Sequence, residues 1–226
     1  MAVRPVFVVT LDNRYCVPEN VTFEFFSGFS EKQKRKCIDS LHKEYLKKND
    51  KKILEISTKS NELLGVQLSA FNLMIKMSSG KKYSIESVFQ SSKVFEHGGP
   101  YKELKYVSPG KAKRDERLRS SGKLIGFNVN GVDYNIEPKT FFYNWLYINT
   151  LRQNRELSEK VLEYDAFTDI EFNPKKSINC QAEAAAIYVS LFRQGLLEKA
   201  LQNKNEFLKT VYCAYEGGGE QLRFVP

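Results

Sequence analysis

The chain has 226 residues, a formal net charge of +8 at pH 7, and 27% charged against 42% hydrophobic residues, proportions that suit one large folded domain, or a smaller one with an appendage, rather than a disordered or fibrous chain. No stretch approaches the ~18 uncharged apolar residues of a membrane helix, and Asp12 and Arg14 interrupt the start before a secretory leader forms, so a cytoplasmic protein without a membrane partner is expected. There are two histidines, His42 and His97, and four cysteines, Cys16, Cys37, Cys180 and Cys213, with neither C-x-x-C nor ligand spacing; this predicts free thiols, no metal centre and no triad of the Ser-His-Asp type, leaving chemistry to carboxylates, lysines and tyrosines.

In chain order, residues 3–9 and 21–26 are rich in β-branched and aromatic side chains and predict two strands, joined by a loop holding Asp12, Asn13 and Pro18. Ser30 with Gln33 three residues later is a capping-box start for a helix to about Lys48, with Ile38, Leu41, Tyr45 and Leu46 on its apolar side. Residues 1–52 thus read as a strand-strand-helix extension, and residues 53–226 as the main domain. Residues 53–56 predict a strand, 57–65 a loop running on to 67–72, 73–77 a short strand and 78–80 a turn. Residues 84–95 predict a helix capped by Ser84, and 97–100 a loop. Pro109 starts a basic helix that breaks near 120–122, and 124–134 is a hairpin around Asn130-Gly131. Pro138 opens a long helix to about Glu163, and 165–178 reads as a polar loop. Asn179 heads a helix to about Arg193, whose Ala182, Ala184, Ala185 and Ala186 permit close helix approach and which Gly195 ends. A last helix runs from about Leu197 to Tyr212, interrupted near Asn203, and the tail with Gly217-Gly218-Gly219 reads as mobile. The class that follows is α+β, mainly helical, with a few short strands.

The positive charge is concentrated. Residues 31–52 hold nine Lys/Arg against four Asp/Glu, and residues 102–123 hold eight against three, so the remainder is slightly acidic. A basic surface attracts polyanions such as nucleic acid; a solvated lysine-rich helix face explains the first segment equally well. The second carries Arg114, Arg117 and Arg119 near Gly and Pro, which suits phosphate contacts.

In the helix that starts after Ser84, Ile85, Val88 and Phe89 make an apolar stripe at about 100° per residue. Beside it Glu86, Gln90 and Lys93 form a narrow carboxylate, amide and ammonium stripe, close enough for the ionisable pair to perturb each other. On spacing alone, a solvated polar stripe is the simpler reading.

What changes that reading is a resemblance. Residues 83–93, Tyr-Ser-Ile-Glu-Ser-Val-Phe-Gln-Ser-Ser-Lys, resemble the Glu-, Gln- and Lys-bearing signature of the NADAR family of N-glycosidases. Four more pieces follow in the family's order: 56–60 (Ile-Ser-Thr-Lys-Ser), 68–71 (Leu-Ser-Ala-Phe), 109–113 (Pro-Gly-Lys-Ala-Lys), and the Asp-bearing loop from Phe167 to Asn179. The likeness covers roughly residues 53–200 and implies a NADAR-like helical core. Ala70 stands where the family commonly has Asn, Ser87 where it has His, and 169–172 lacks its Trp-Gly. The β-rich start and the run 167–182 look most like the NADAR antitoxins that accompany DarT-type toxins, which ADP-ribosylate guanine in DNA. That likeness implies an ADP-ribosylhydrolase acting on guanine-linked ADP-ribose in DNA, with DNA as partner and the cognate toxin as a further one.

Cleaving an N-glycosidic bond passes through an oxocarbenium-like state that needs negative charge near C1, protonation of the leaving nitrogen and an activated water. The resemblance assigns the central carboxylate to Glu86 and a second to Asp169. Lys59 and Lys93 are candidate proton donors, or an amine attacks the opened sugar as a Schiff base; these roles stay open. Substrate contacts fall to Ser57, Ser60, Ser69 and Gln90, to Lys113 and Arg114 for the pyrophosphate, to Phe71, Tyr143 and Trp145 for stacking, and to Asn179, whose helix cap alone would also explain it. Core packing competes for Phe71 and is the simpler reading of Trp145. No cofactor is expected. Two alternatives remain: hydrolysis of a small N-ribosyl metabolite, such as a riboflavin-pathway intermediate, and a non-catalytic antitoxin that binds its toxin through the extension.

Overall fold

The computed structural model describes residues 1–77 and 79–212. The turn expected at Ser78, Cys213 and the tail with Gly217-Gly218-Gly219 lie outside the described residues. Strand β1 (Ala2–Val9) pairs antiparallel with β2 (Cys16–Phe23) from Ala2↔Phe23 to Val9↔Cys16. The second strand starts five residues before the expected Val21 and takes in Pro18, which is tolerated because β2 is an edge strand. The loop shrinks to residues 10–15, where the Asp12 carboxylate accepts the Arg14 N–H at 2.9 Å. Helix α1 (Glu31–Leu46) begins as expected, with Ser30 Oγ accepting the Gln33 N–H. Its buried stripe is Cys37, Ile38, Leu41 and Tyr45, while Leu46 is exposed.

Strand β3 (Ile53–Glu55) is followed by α2 (Leu63–Leu68), a helix in a stretch expected to be loop. Gly65 obscures it: glycine is a poor helix former, but a Cβ here would lie 1.9 Å from the Glu55 carbonyl oxygen, so close approach demands it. Strands β4 (Met74–Lys76) and β5 (Lys82–Ser84) form a two-stranded ribbon. Helix α3 (Ile85–Ser92) follows at once, capped by Ser84 Oγ, and all eight of its residues are buried. It ends before the expected Phe95. Residues Lys93–Phe95 are instead strand β6, pairing with β7 (Leu124–Val129), which turns through Asn130 and Gly131 into β8 (Val132–Tyr134). Both turn residues have positive φ, 51° and 87°, as a two-residue hairpin requires. The expected basic helix is two short ones, α4 (Pro109–Lys113) and α5 (Arg117–Ser120), after a 3-10 turn at Lys102–Tyr106.

The long helix expected from Pro138 starts later and breaks into α6 (Phe141–Gln153) and α7 (Arg155–Lys160). Asn154 Nδ2 holds the break by donating to Met74 O and Thr150 O. Strand β9 (Ala166–Thr168) lies where a polar loop was expected; three residues carry no readable period, yet all are buried. Helix α8 (Gln181–Arg193) has Cys180, not Asn179, at its N-cap, and no side-chain cap bond. Helices α9 (Leu197–Ala200) and α10 (Lys204–Val211) meet at Asn203, which caps the latter.

One sheet organises the mixed α+β fold. Its order is β2-β1-β9-β3, with β9 antiparallel to β1 and parallel to β3. Successive residues of β1 face opposite sides: Val6 and Val8 pack on α1, while Phe7 and Val9 join the main core of α3, α6 and α8. Strand β9 thus sits between the N-terminal strands and β3, and the loop after it is held from both sides. No helix among the described residues is long and apolar enough to cross a membrane.

Candidate active site

Glu86 lies in the first turn of α3, where a carboxylate complements the helix N-terminus. It is 6% exposed. Its N–H donates to Ala70 O at 2.9 Å, its Oε1 accepts Gln90 Nε2 at 2.8 Å, and Lys113 Nζ stands 3.6 Å from the same oxygen. The i,i+4 relation of Glu86 and Gln90 is therefore a real contact. Lys93 leaves the helix as the first residue of β6, yet its ammonium still feels both Glu86 and Lys113. Burial, mainly, and Lys113 lower its pKa, against the opposing pull of Glu86. Its Nζ lies 4.9 Å from the Phe89 ring centre, and Lys113 lies 5.5 Å from that of Phe71.

The second acidic group is a pair. Asp169 follows β9 and accepts the Glu171 N–H at 3.0 Å. Burial first, and then the neighbouring charge of Glu55, push its pKa up to about 8. Glu55, 2% exposed at the end of β3, accepts Ile170 N–H at 2.8 Å and the Thr168 hydroxyl at 2.6 Å. Its pKa is also raised by burial. With the Thr168 proton committed to Glu55, the same oxygen accepts from His42 Nε2 at 2.8 Å, so α1 reaches the loop that carries Asp169. Burial lowers the His42 pKa to about 4, leaving the ring neutral.

Gln181 joins the two neighbourhoods. Its Nε2 donates to Ile56 O at 2.6 Å, its Oε1 accepts Ala70 N–H at 2.7 Å, and its amide also bonds Asp169. Since Ala70 O accepts from Glu86, the backbone at position 70 links both acids, whatever side chain stands there. Buried Tyr143 senses both too: burial, then Glu86, and more weakly Asp169, raise its pKa. Its ring meets Phe89 edge to face at 5.2 Å.

Of the residues singled out by sequence, the fold gathers Glu86, Gln90, Lys93, Lys113, Phe71 and Tyr143 in one neighbourhood, with Asp169 reached through Gln181. Ser57, Ser60 and Ser69 are engaged within the fold: Ser57 accepts Lys59 N–H and donates to the Glu55 carboxylate, Ser60 accepts Glu62 N–H, and Ser69 donates to Val66 O. Lys59 pairs with no carboxylate among the described residues, and Arg114 is an exposed C-cap. Trp145 packs edge to face on Phe207, away from Tyr143 on the same helix. Asn179 lies in a small recess with Tyr143 and does not cap α8. Arg117 is committed to Asp115 and Glu103 rather than free for phosphate. Glu55, His42 and Gln181 escape sequence reasoning. The signals were a lone acid among Ile53, Leu54 and Ile56, and the Gln inside the 167–182 run.

The match to the family model described as DarT1-associated NADAR antitoxin spans residues 2–218. The chain belongs to that family. The match takes in the N-terminal strands and α1, not only residues 53–200, in keeping with β1 and β9 sharing a sheet. No curated protein matches the chain. Family membership makes the chain an antitoxin within a wider family of N-glycosidases, associated with a toxin. The family's His position, Ser87 here, donates to Val107 O at 3.1 Å and ties α3 to the segment after the 3-10 turn. Phe172, in place of the family's Trp, packs on Phe7 of β1.

Proposed function

We propose that the protein is an N-glycoside hydrolase that removes ADP-ribose from guanine in DNA and so reverses the lesion made by its toxin. The observation that carries this is the buried Glu86 carboxylate, held by Gln90, with Lys113 at 3.6 Å and Lys93 within electrostatic reach. A fixed carboxylate of this kind stabilises positive charge at the ribose C1 and takes a proton from water. Lys93, whose lowered pKa makes it a readier acid, gives its proton to the departing guanine amino nitrogen. The C1–N bond breaks, the C1–O bond to water forms, and solvent restores both side chains. Lys113, 59% exposed in its side chain, and Arg114 meet the pyrophosphate. Asp169, positioned by Gln181, meets the ribose hydroxyls, and Tyr143 and Phe71 supply aromatic faces.

The test is release of ADP-ribose from an ADP-ribosylated guanine oligonucleotide by wild type and by Glu86→Gln. Glutamine keeps the bond to Gln90 but not the charge, so a folded variant at least ~10²-fold slower is expected. Full activity in the variant would remove Glu86 from the mechanism. A wild type that acts on a free N-ribosyl metabolite and not on the oligonucleotide would replace the substrate. Lys93's lowered pKa also favours a covalent route, in which its neutral amine attacks C1 of the ring-opened sugar, the C1–N bond breaks as the guanine amine leaves, and water then hydrolyses the Lys93 imine; a borohydride-trapped adduct that Lys93→Met abolishes would establish it.

A further inference from the structure

Strands β4 and β5, the 3-10 turn and the start of α4 enclose an open groove of about 590 Å³, within the ~300–1,000 Å³ usual for binding sites. Its lining carries Lys81, Lys82 and Lys105 and no Asp or Glu. None of the three forms an ion pair among the described residues, although surface lysines elsewhere do: Lys47 with Glu44, Lys52 with Glu163, Lys160 with Glu156 and Lys209 with Glu206. Two aromatic rings interleave the cations. Lys105 Nζ stands 5.1 Å from the Tyr106 ring centre and 5.9 Å from that of Tyr83, and the rings meet edge to face at 5.6 Å. Tyr106 is 63% exposed. An exposed ring held against a second ring and a cation is a stacking platform, and among the described residues only the Tyr83 ring packs on it.

The groove runs into the candidate site. Phe71 lines it and lies beside Lys113, which pairs with Glu86, and Ser87 lines it one residue after Glu86. We infer that this groove binds a single strand of DNA flanking the modified base, with the lysines on phosphates and Tyr106 and Tyr83 on base faces. Unpaired lysines beside exposed rings match the two demands of a single strand, backbone charge and free base faces. A duplex hides its base faces in the stack and would leave the tyrosines unused. DNA as the polymer rests on the proposed function; the chemistry of the groove stands independently of it.

The experiment uses the full chain and a fluorescent, unmodified oligothymidylate, read by anisotropy over a salt series. Tyr106→Ala is expected to weaken binding about tenfold or more with an unchanged salt slope, since it removes only stacking. Lys105→Ala should weaken binding and flatten the slope by about 0.7 for the lost phosphate contact. Lys81→Glu, at an exposed position, gives a second charge test. Circular dichroism melts at the wild-type temperature establish that the variants are folded. Wild-type affinity in all three variants overturns the inference, as does equal binding of a matched duplex. A wild type that binds oligothymidylate through these residues yet releases no ADP-ribose would remove the proposed function and leave the groove standing. Activity on the oligonucleotide with no loss in any variant would do the reverse.

Discussion

Two acidic neighbourhoods of the protein are built on opposite rules. Glu86 has cations beside it, Lys113 at 3.6 Å and Lys93 within electrostatic reach. Glu55 and Asp169 have neutral partners: a backbone N–H each, the Thr168 and Ser57 hydroxyls and the Gln181 amide. No Lys or Arg among the described residues pairs with either of them. Two carboxyls close together in a low-dielectric site without a cation hold their protons more strongly. Hence burial raises both members of the second pair, with the Glu55 charge adding to it at Asp169 and the Glu171 charge at Glu55, whereas the first acid sits among opposite charges. The difference separates a carboxylate set among cations, which the proposed mechanism places at C1, from a pair that holds a loop and retains a proton.

The largest expected effect breaks the first neighbourhood. Lys93→Met should slow ADP-ribose release by roughly 10²–10⁴-fold, the usual contribution of general acid catalysis, with little change in urea midpoint because Lys93 itself is only half-buried. If Lys59→Met shows the loss instead, the donor is Lys59. Next is the anchor of the second. Glu55→Ala leaves the Ile170 N–H and the Thr168 hydroxyl buried without their acceptor, and should cost on the order of 2–4 kcal/mol in urea unfolding. Glu55→Gln, which keeps an acceptor, should cost clearly less; equal losses would mean that volume rather than hydrogen bonding matters there.

A smaller effect follows from pH. Asp169 has a folded pKa raised from 3.8 to about 8, so the folded state binds the extra proton between those values. Its contribution is fully present below about 3.8 and is lost as pH rises through about 8. Wild type should therefore lose stability over that interval relative to Asp169→Asn, measured by urea midpoints in a pH series. Parallel curves would mean that Asp169 titrates normally. His42 acts on the other side: its folded pKa is lowered from 6.5 to about 4, so its contribution is present above 6.5 and is lost as pH falls through about 4. The smallest effect is that of its hydrogen bond. His42→Phe should cost about 1 kcal/mol, His42→Gln should recover part of that through an amide donor, and identical values for the two would show that the bond to Thr168 contributes nothing.

The elements with strong local signals are legible in the sequence. Ser30 and Ser84 start α1 and α3 where their capping patterns place them, and Asn130-Gly131 turns the hairpin. The misses are short or contradictory: β9 has three residues, α2 carries a glycine demanded by the Glu55 carbonyl, and Lys93–Phe95 continues a helical pattern but is captured by β7. For the site, the Glu86, Gln90 and Lys93 grouping follows from spacing and from the family resemblance. By contrast, Trp145 and Tyr143 are two residues apart on one helix and point to different surroundings, Phe207 and Glu86.

By itself, then, the sequence determines the family, the α+β class and the acid at the head of α3, because motif order, turn chemistry and helical spacing are local properties of the chain. Only the tertiary structure decides that β9 threads between β1 and β3, that Glu55 and His42 grip the loop of Asp169 across 113 and 126 residues of chain, and that Gln181 ties this loop to the backbone behind Glu86. Those contacts depend on burial and on hydrogen bonds between distant segments. Each buried polar group needs a partner, but nothing local in the chain says which segment will supply it.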